Sequence, residues 1–123
     1  MDILDDVANE KTTSVYSCSL LDLDDALVPG TALTALYLTL RDMLTGRVIN
    51  SRFRQNALNA NNVTVSASGL LEFILQPADN IIINPALDVE VHVATFEAVW
   101  STGRVTDDVG VPVRNLRSIL GRS

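Results

Sequence analysis

A chain of 123 residues, 47% apolar and 20% charged, is long enough for one domain that buries a core without disulfides or a metal, and this mixture fits neither a disordered nor a membrane class. The formal net charge is −6, and an acidic body argues against nonspecific nucleic-acid binding, which needs clustered Lys and Arg to neutralise phosphates. No apolar run approaches the roughly 20 residues that a helix needs to span a bilayer, and Cys18, the single cysteine, permits no internal disulfide.

Residues 1–12 lack a sustained period and are rich in acids, so they read as a flexible acidic arm, with room for a short helical turn. Their acidic start is the opposite of the basic region of a secretory signal, which predicts synthesis in a cytoplasm. From Thr13 to Leu21 the segment alternates, with Tyr16, Cys18 and Leu20 on its apolar face. Asp22-Leu23-Asp24-Asp25 and Val28-Pro29-Gly30 punctuate the chain as a loop. Leu36, Leu38 and Leu40 then alternate with Tyr37, Thr39 and Arg41 and give the clearest strand, its leucine face toward a core. Leu44-Thr45-Gly46-Arg47 predicts a hairpin turn, with Val48 to Phe53 returning as the next strand.

The stretch from Gln55 to Asn62 is amide-rich and reads as an irregular loop, because Asn side chains form local turns with their own backbone. Val63, Val65 and Ala67, the turn Ser68-Gly69, and Leu71, Phe73 and Leu75 make a second hairpin. The Ile81-Ile82-Ile83 run is either a short buried strand or an apolar patch on a loop. In the longest candidate, Asp88 to Ser101, Val89, Val91 and Val93 lie on one face and Ala94, Phe96, Ala98 and Trp100 on the other. A bulge near Ala94 or Thr95 would bring both sets to one core. Ser101-Thr102-Gly103-Arg104 closes a further hairpin, with Val105 beginning the return.

About seven short strands with regular turn signals predict an all-β domain, an immunoglobulin-like antiparallel β-sandwich over residues 13–112. Residues 113–123 leave the strand pattern: Leu116, Ile119 and Leu120 have helical spacing amid Arg114, Arg117 and Arg122, a short basic amphipathic tail. Such a segment is too short to be stable alone and is expected to dock on something. Charge is placed unevenly, for residues 1–25 carry seven acids against Lys11 alone while the tail carries no acid.

Chemistry is sparse. His92 is the only histidine, which removes two-His metal pairs and most zinc sites. Nothing in the sequence activates Cys18 as the partner of His92, and a buried inert thiol is the expectation. Asp22, Asp24 and Asp25 lack the glycine and the distal Glu of a calcium loop, so they read as a solvated acidic turn. Asp88, Glu90 and Glu97 have too few polar neighbours for an acid/base constellation, and the six glycines are dispersed at turns with no phosphate loop. Elimination leaves surface: no enzyme, no cofactor and no metal are expected.

The run LDLDDALVPGTALTALYLTLRDMLTGRVINSRFRQNALNANNVTVSASGLLEFILQPADN, followed by EVHVATFEAVWSTG, resembles small immunoglobulin-like proteins of tailed-bacteriophage virions, over about two thirds of the chain from Leu20 to Trp100. The resemblance implies a structural protein that decorates the capsid or sits at the head-to-tail neck in several symmetric copies. Its partners would be copies of itself and other virion proteins, with no nucleic acid and no membrane. The alternative is a receptor- or carbohydrate-binding module of a host-recognition apparatus. The candidate contact residues are Asp5 and Asp6 on the arm, expected to meet Arg114 and Arg117 of a neighbouring copy while Leu116, Ile119 and Leu120 bury apolar surface.

Overall fold

The computed structural model describes residues 1–22 and 24–116. It is an all-β protein of two facing sheets with one 3-10 turn at Gly30–Ala32. Strands β3 (Ser14–Ser19), β4 (Leu33–Asp42), β5 (Gln55–Asn56), β6 (Val63–Val65), β7 (Leu70–Leu75), β8 (Val89–Trp100) and β9 (Gly103–Arg114) are joined by β1 (Asp2–Ile3) and β2 (Ala8–Asn9). The smaller sheet has the order β3-β7-β6 and the larger β9-β8-β4-β5, all antiparallel. Both short N-terminal strands lie parallel on β9, Asp2 and Ile3 beside Val109 and Gly110, Ala8 and Asn9 beside Val113 and Arg114. The segment read as an arm is therefore strapped along the sheet for part of its length.

The leucine face behaves as its period dictates. Leu36, Leu38 and Leu40 are fully buried and meet Val65, Leu71 and Phe73 of the facing sheet. Phe73 packs edge-on against Phe96 with ring centroids 5.9 Å apart, a favoured aromatic geometry, and Tyr16 stacks on the same ring at 6.2 Å. Trp100 joins this core only half-buried, over the tight β8–β9 turn. A Cβ on Gly103 would stand 2.6 Å from the Trp100 ring, so this turn requires glycine for close approach. The expected Ser68-Gly69 turn is also present, with Gly69 at φ +85°.

Two expectations need correction. Strand β8 has no bulge at Ala94 or Thr95: its register with β4 and β9 runs unbroken through these residues, and the one irregularity lies at Leu33/Ala35 on β4. The face turned to the facing sheet is instead Glu90, His92, Ala94, Phe96 and Ala98; Val89 and Val91 lie on the opposite face with Val93, which is nonetheless buried. The inward Glu90 is satisfied locally, accepting the Ile83 and Asn84 N–H groups at 2.8 and 2.7 Å and meeting His92 Nε2 at 2.6 Å. This carboxylate holds the triple-isoleucine run as a loop, with Ile81 and Ile83 against the core.

The second correction concerns Val48 to Phe53, which is not a strand. The Gly46 turn forms, with Gly46 N–H donating to the Asp42 carbonyl at 2.8 Å, but the ladder is reduced to one bridge between Arg41 and Val48, after which only the Leu40 main chain pairs with the segment, accepting from Ile49 N–H at 2.9 Å and donating to the Arg52 carbonyl at 2.8 Å. Asn50, Ser51 and Arg54 all adopt positive φ. The physical cause is Arg52, whose side chain turns inward onto Asp79 instead of alternating across a sheet. Its Nε and Nη2 donate to the two Asp79 oxygens at 2.6 and 3.0 Å, Nη1 to Gln55 and the Asn61 carbonyl, and Nη2 also to Asn62. The guanidinium lies 5.1 Å over the Phe73 ring. The amide-rich loop thus wraps a buried arginine.

Candidate interaction surface

The two sheets meet along a seam between β3, the edge of the small sheet, and β9 with its N-terminal strap. The ladder phase on β3 follows from its neighbours. Ser66 N–H donates to Leu70 O and Ile74 N–H to Asn62 O, each at 2.9 Å, so the main-chain groups of Leu70, Glu72 and Ile74 point toward β6. Those of Leu71, Phe73 and Leu75 then point toward β3, where they face Cys18, Tyr16 and Ser14. The N–H and C=O groups of Val15, Ser17 and Ser19 are left pointing outward, and among the described residues they have no backbone partner.

Two hollows lie on this seam. One, of about 530 Å³, is bounded by Leu4–Ala8, by Ser14–Ser17 and by Leu75 and Val111. The other, of about 250 Å³, lies farther along between Ser19–Asp22 with Asp25 and Val105–Asp107. Asp5 and Asp6 line the first hollow, Asp22, Asp25 and Asp107 the second, and no Lys or Arg lines either. Asp107 shows the consequence: partial burial, then the charges of Asp108 and Asp2, push its carboxyl above the ordinary value of 3.8. Asp22 shapes its own turn, its Oδ1 accepting the Asp24 and Ala26 N–H groups at 2.8 and 3.0 Å.

Tyr16 and Cys18 face inward from β3. Burial, followed by the neighbouring Cys18, pushes the Tyr16 hydroxyl well above its usual range. Burial likewise raises the Cys18 thiol, with Asp107 adding to the shift and a hydrogen bond from Tyr16 opposing it. A thiol shifted upward holds less thiolate, the form that acts as nucleophile. Among the described residues no group of three or more His, Cys, Asp or Glu is placed to hold a metal ion, and no helix is long and apolar enough to cross a membrane.

Of the residues expected to make contacts, Asp5 and Asp6 are exposed on the strap, and Arg114 is exposed at the end of β9. Strand β9 thus runs two residues into the segment read as tail. Leu116 is 40% exposed, and its N–H donates to Glu10 Oε1 at 2.8 Å. Arg117, Ile119 and Leu120 lie outside the described residues. Two residues that shape this end gave no signal in the sequence. Asn115, almost fully buried, donates to the Pro85 and Leu87 carbonyls at 3.0 Å each, and Glu10 ties the end of the strap to the end of β9. Comparison with protein-family models, curated proteins and solved structures finds no match for the chain.

Proposed function

We propose that this chain is a non-enzymatic structural protein of a tailed-phage virion, docking in several symmetric copies on the capsid or at the head-to-tail joint. Its sandwich is read as immunoglobulin-like. The strand order supports that: a three-strand sheet β3-β7-β6 faces β9-β8-β4-β5, with the N-terminal segment laid on the last strand. The virion setting rests on the resemblance of the Leu20 to Trp100 region. The docking role rests on one observation, an acidic seam lined by no Lys or Arg on a chain whose last eleven residues hold three arginines and no acid.

A head-to-tail contact between unlike surfaces closes into a ring when the rotation permits, so acid on one side and arginine on the other suits repeated copies. Asp5 and Asp6 would then meet Arg114 and Arg117 of the neighbour. Exposed ion pairs contribute only about 0–1 kcal/mol each, so they select register while Leu116, Ile119 and Leu120 supply most of the binding. The test is quantitation in purified particles. A chain present in stoichiometric copies, and lost on deletion of residues 117–123, supports the reading; a chain absent from particles refutes it. The deletion must begin after Leu116, because Val113 and Asn115 are buried parts of the fold.

A further inference from the structure

We propose that the outer edge of β3 is a strand-acceptor site, and that its occupant is the basic segment 117–123 of a second copy of this chain. The inference deepens the docking role above and depends on copies meeting one another.

The first argument is the edge itself. Natural sheets blunt open edges with short strands, charge, proline or bulges. Strands β5 and β6, at the other ends of the two sheets, are two and three residues long. Strand β3 is six residues long, reads SVYSCS with neither charge nor proline, and pairs with β7 in unbroken register. Val15, Ser17 and Ser19 direct their main-chain groups away from β7, and the Val15 side chain is 60% exposed. Such an edge is a template for an added strand, which binds through main-chain hydrogen bonds and is selected by alternate side chains.

The second argument is fit. Seven extended residues reach about 23–25 Å, and a six-residue strand spans about 20 Å, so the segment matches the edge in length. Successive side chains of a strand point to opposite faces. Adjacent Ile119 and Leu120 would therefore divide, one entering the hollow floored by Leu4, Val7, Leu75 and Val111, the other lying over the exposed Val15 and Ile74. Arg117 and Arg122 would bring positive charge to a seam that holds Asp5, Asp6, Asp22, Asp25 and Asp107 and is lined by no Lys or Arg. Asp107, whose carboxyl is pushed upward by burial and by the charges of Asp108 and Asp2, lies on this seam, where an incoming guanidinium would relieve that repulsion.

The test is site-specific cross-linking of the full chain with Cys18→Ser as background. One variant carries Ser17→Cys, another carries Leu120→Cys, and the two are mixed and mildly oxidised. A disulfide joining position 17 of one chain to position 120 of the other, identified by mass spectrometry, is the expected result. Adding Val15→Pro to the first variant removes an outward N–H and leaves the β7 ladder intact, and it should cut the 17–120 product about tenfold, the equivalent of about 1.4 kcal/mol. A thermal melt checks that this variant is folded. A synthetic peptide of residues 113–123 provides a readout independent of it, binding the parent chain saturably while a scrambled peptide does not. The proposal is overturned if the mixture yields no 17–120 link or if the peptide fails to bind. Particle quantitation keeps the two readings apart: a chain abundant in virions that forms no 17–120 link would lose the acceptor edge and keep the structural role.

Discussion

Asp79 and Asp107 are both drawn partly or wholly out of water, and the fold treats them in opposite ways. Asp79 is fully buried and finds a fork of arginine, with Asn50 Nδ2 and the Gln76 N–H completing its hydrogen bonds. Asp107, on the seam, keeps much of its surface in water and finds only Asp108 and Asp2 as charged side-chain neighbours, so its carboxyl is shifted upward. Where the sandwich needs a buried acid it supplies the cation within the chain. At the seam it supplies no Lys or Arg, and only the N-terminal ammonium opposes the upward shift of Asp107, which separates carboxylates that hold the fold from carboxylates left largely unanswered by the chain's side chains.

The largest effect should come from breaking the first arrangement. Asp79→Ala leaves the Arg52 guanidinium buried without its counter-charge, and removing one partner of a buried pair costs about 3–5 kcal/mol. Urea unfolding should show a large drop in midpoint. Arg52→Met combined with Asp79→Leu should recover part of that loss, because an apolar pair avoids the stranded charge. Full recovery would mean that the bonds from Arg52 to Gln55, Asn61 and Asn62 contribute little; no recovery would mean that those bonds, which order the Asn-rich loop, dominate.

Glu90 is an intermediate case, buried like Asp79 but held by two backbone N–H groups and His92 rather than by arginine. Glu90→Ala leaves those donors unpaired, at about 1–3 kcal/mol for a buried group so abandoned. The expected destabilisation is about 2 kcal/mol, smaller than for Asp79, with faster hydrogen exchange at Ile83 and Asn84. Exchange unchanged at those two amides would show that the loop is held by Ile81 and Ile83 packing alone.

How much of this could be read from the sequence depended on whether hydrophobicity marked the inner face. Leu36, Leu38 and Leu40, and Leu71 and Phe73, point inward and are apolar, so their strands and the shared core were legible. Strand β8 begins its inner face with Glu90 and His92, which makes Val89, Val91 and Val93 look like the core side and suggests a bulge where none exists. Val48 to Phe53 failed for a related reason, since Arg52 is a core residue by virtue of Asp79, distant in sequence. The seam was legible only as charge: the acids of residues 1–25 were visible, but pairing of β1 and β2 with the last strand, and the phase that turns Val15, Ser17 and Ser19 outward, are long-range facts with no local signature.

The smallest effect, and the one that most sharpens the contrast, is expected at Asp107. Its folded-state pKa lies above the ordinary value of 3.8, so the folded chain binds this proton more tightly than the unfolded chain does. The stability associated with the protonated carboxyl is fully present below about 3.8 and is lost as pH rises through the raised folded-state value. Asp107→Asn removes the charge without removing the shape. Thermal melts of the isolated chain should therefore show the variant slightly more stable at pH 7, with the advantage shrinking as pH falls and gone below about 3.8. The same substitution at Asp79 should destabilise, because there the charge is answered by Arg52. If the seam receives an arginine from a second copy, the sign reverses in the assembled state: Asp107→Asn would weaken association while stabilising the free chain. A variant less stable than the parent at neutral pH would show that Asp107 serves the fold after all, and the distinction between the two carboxylates would fail.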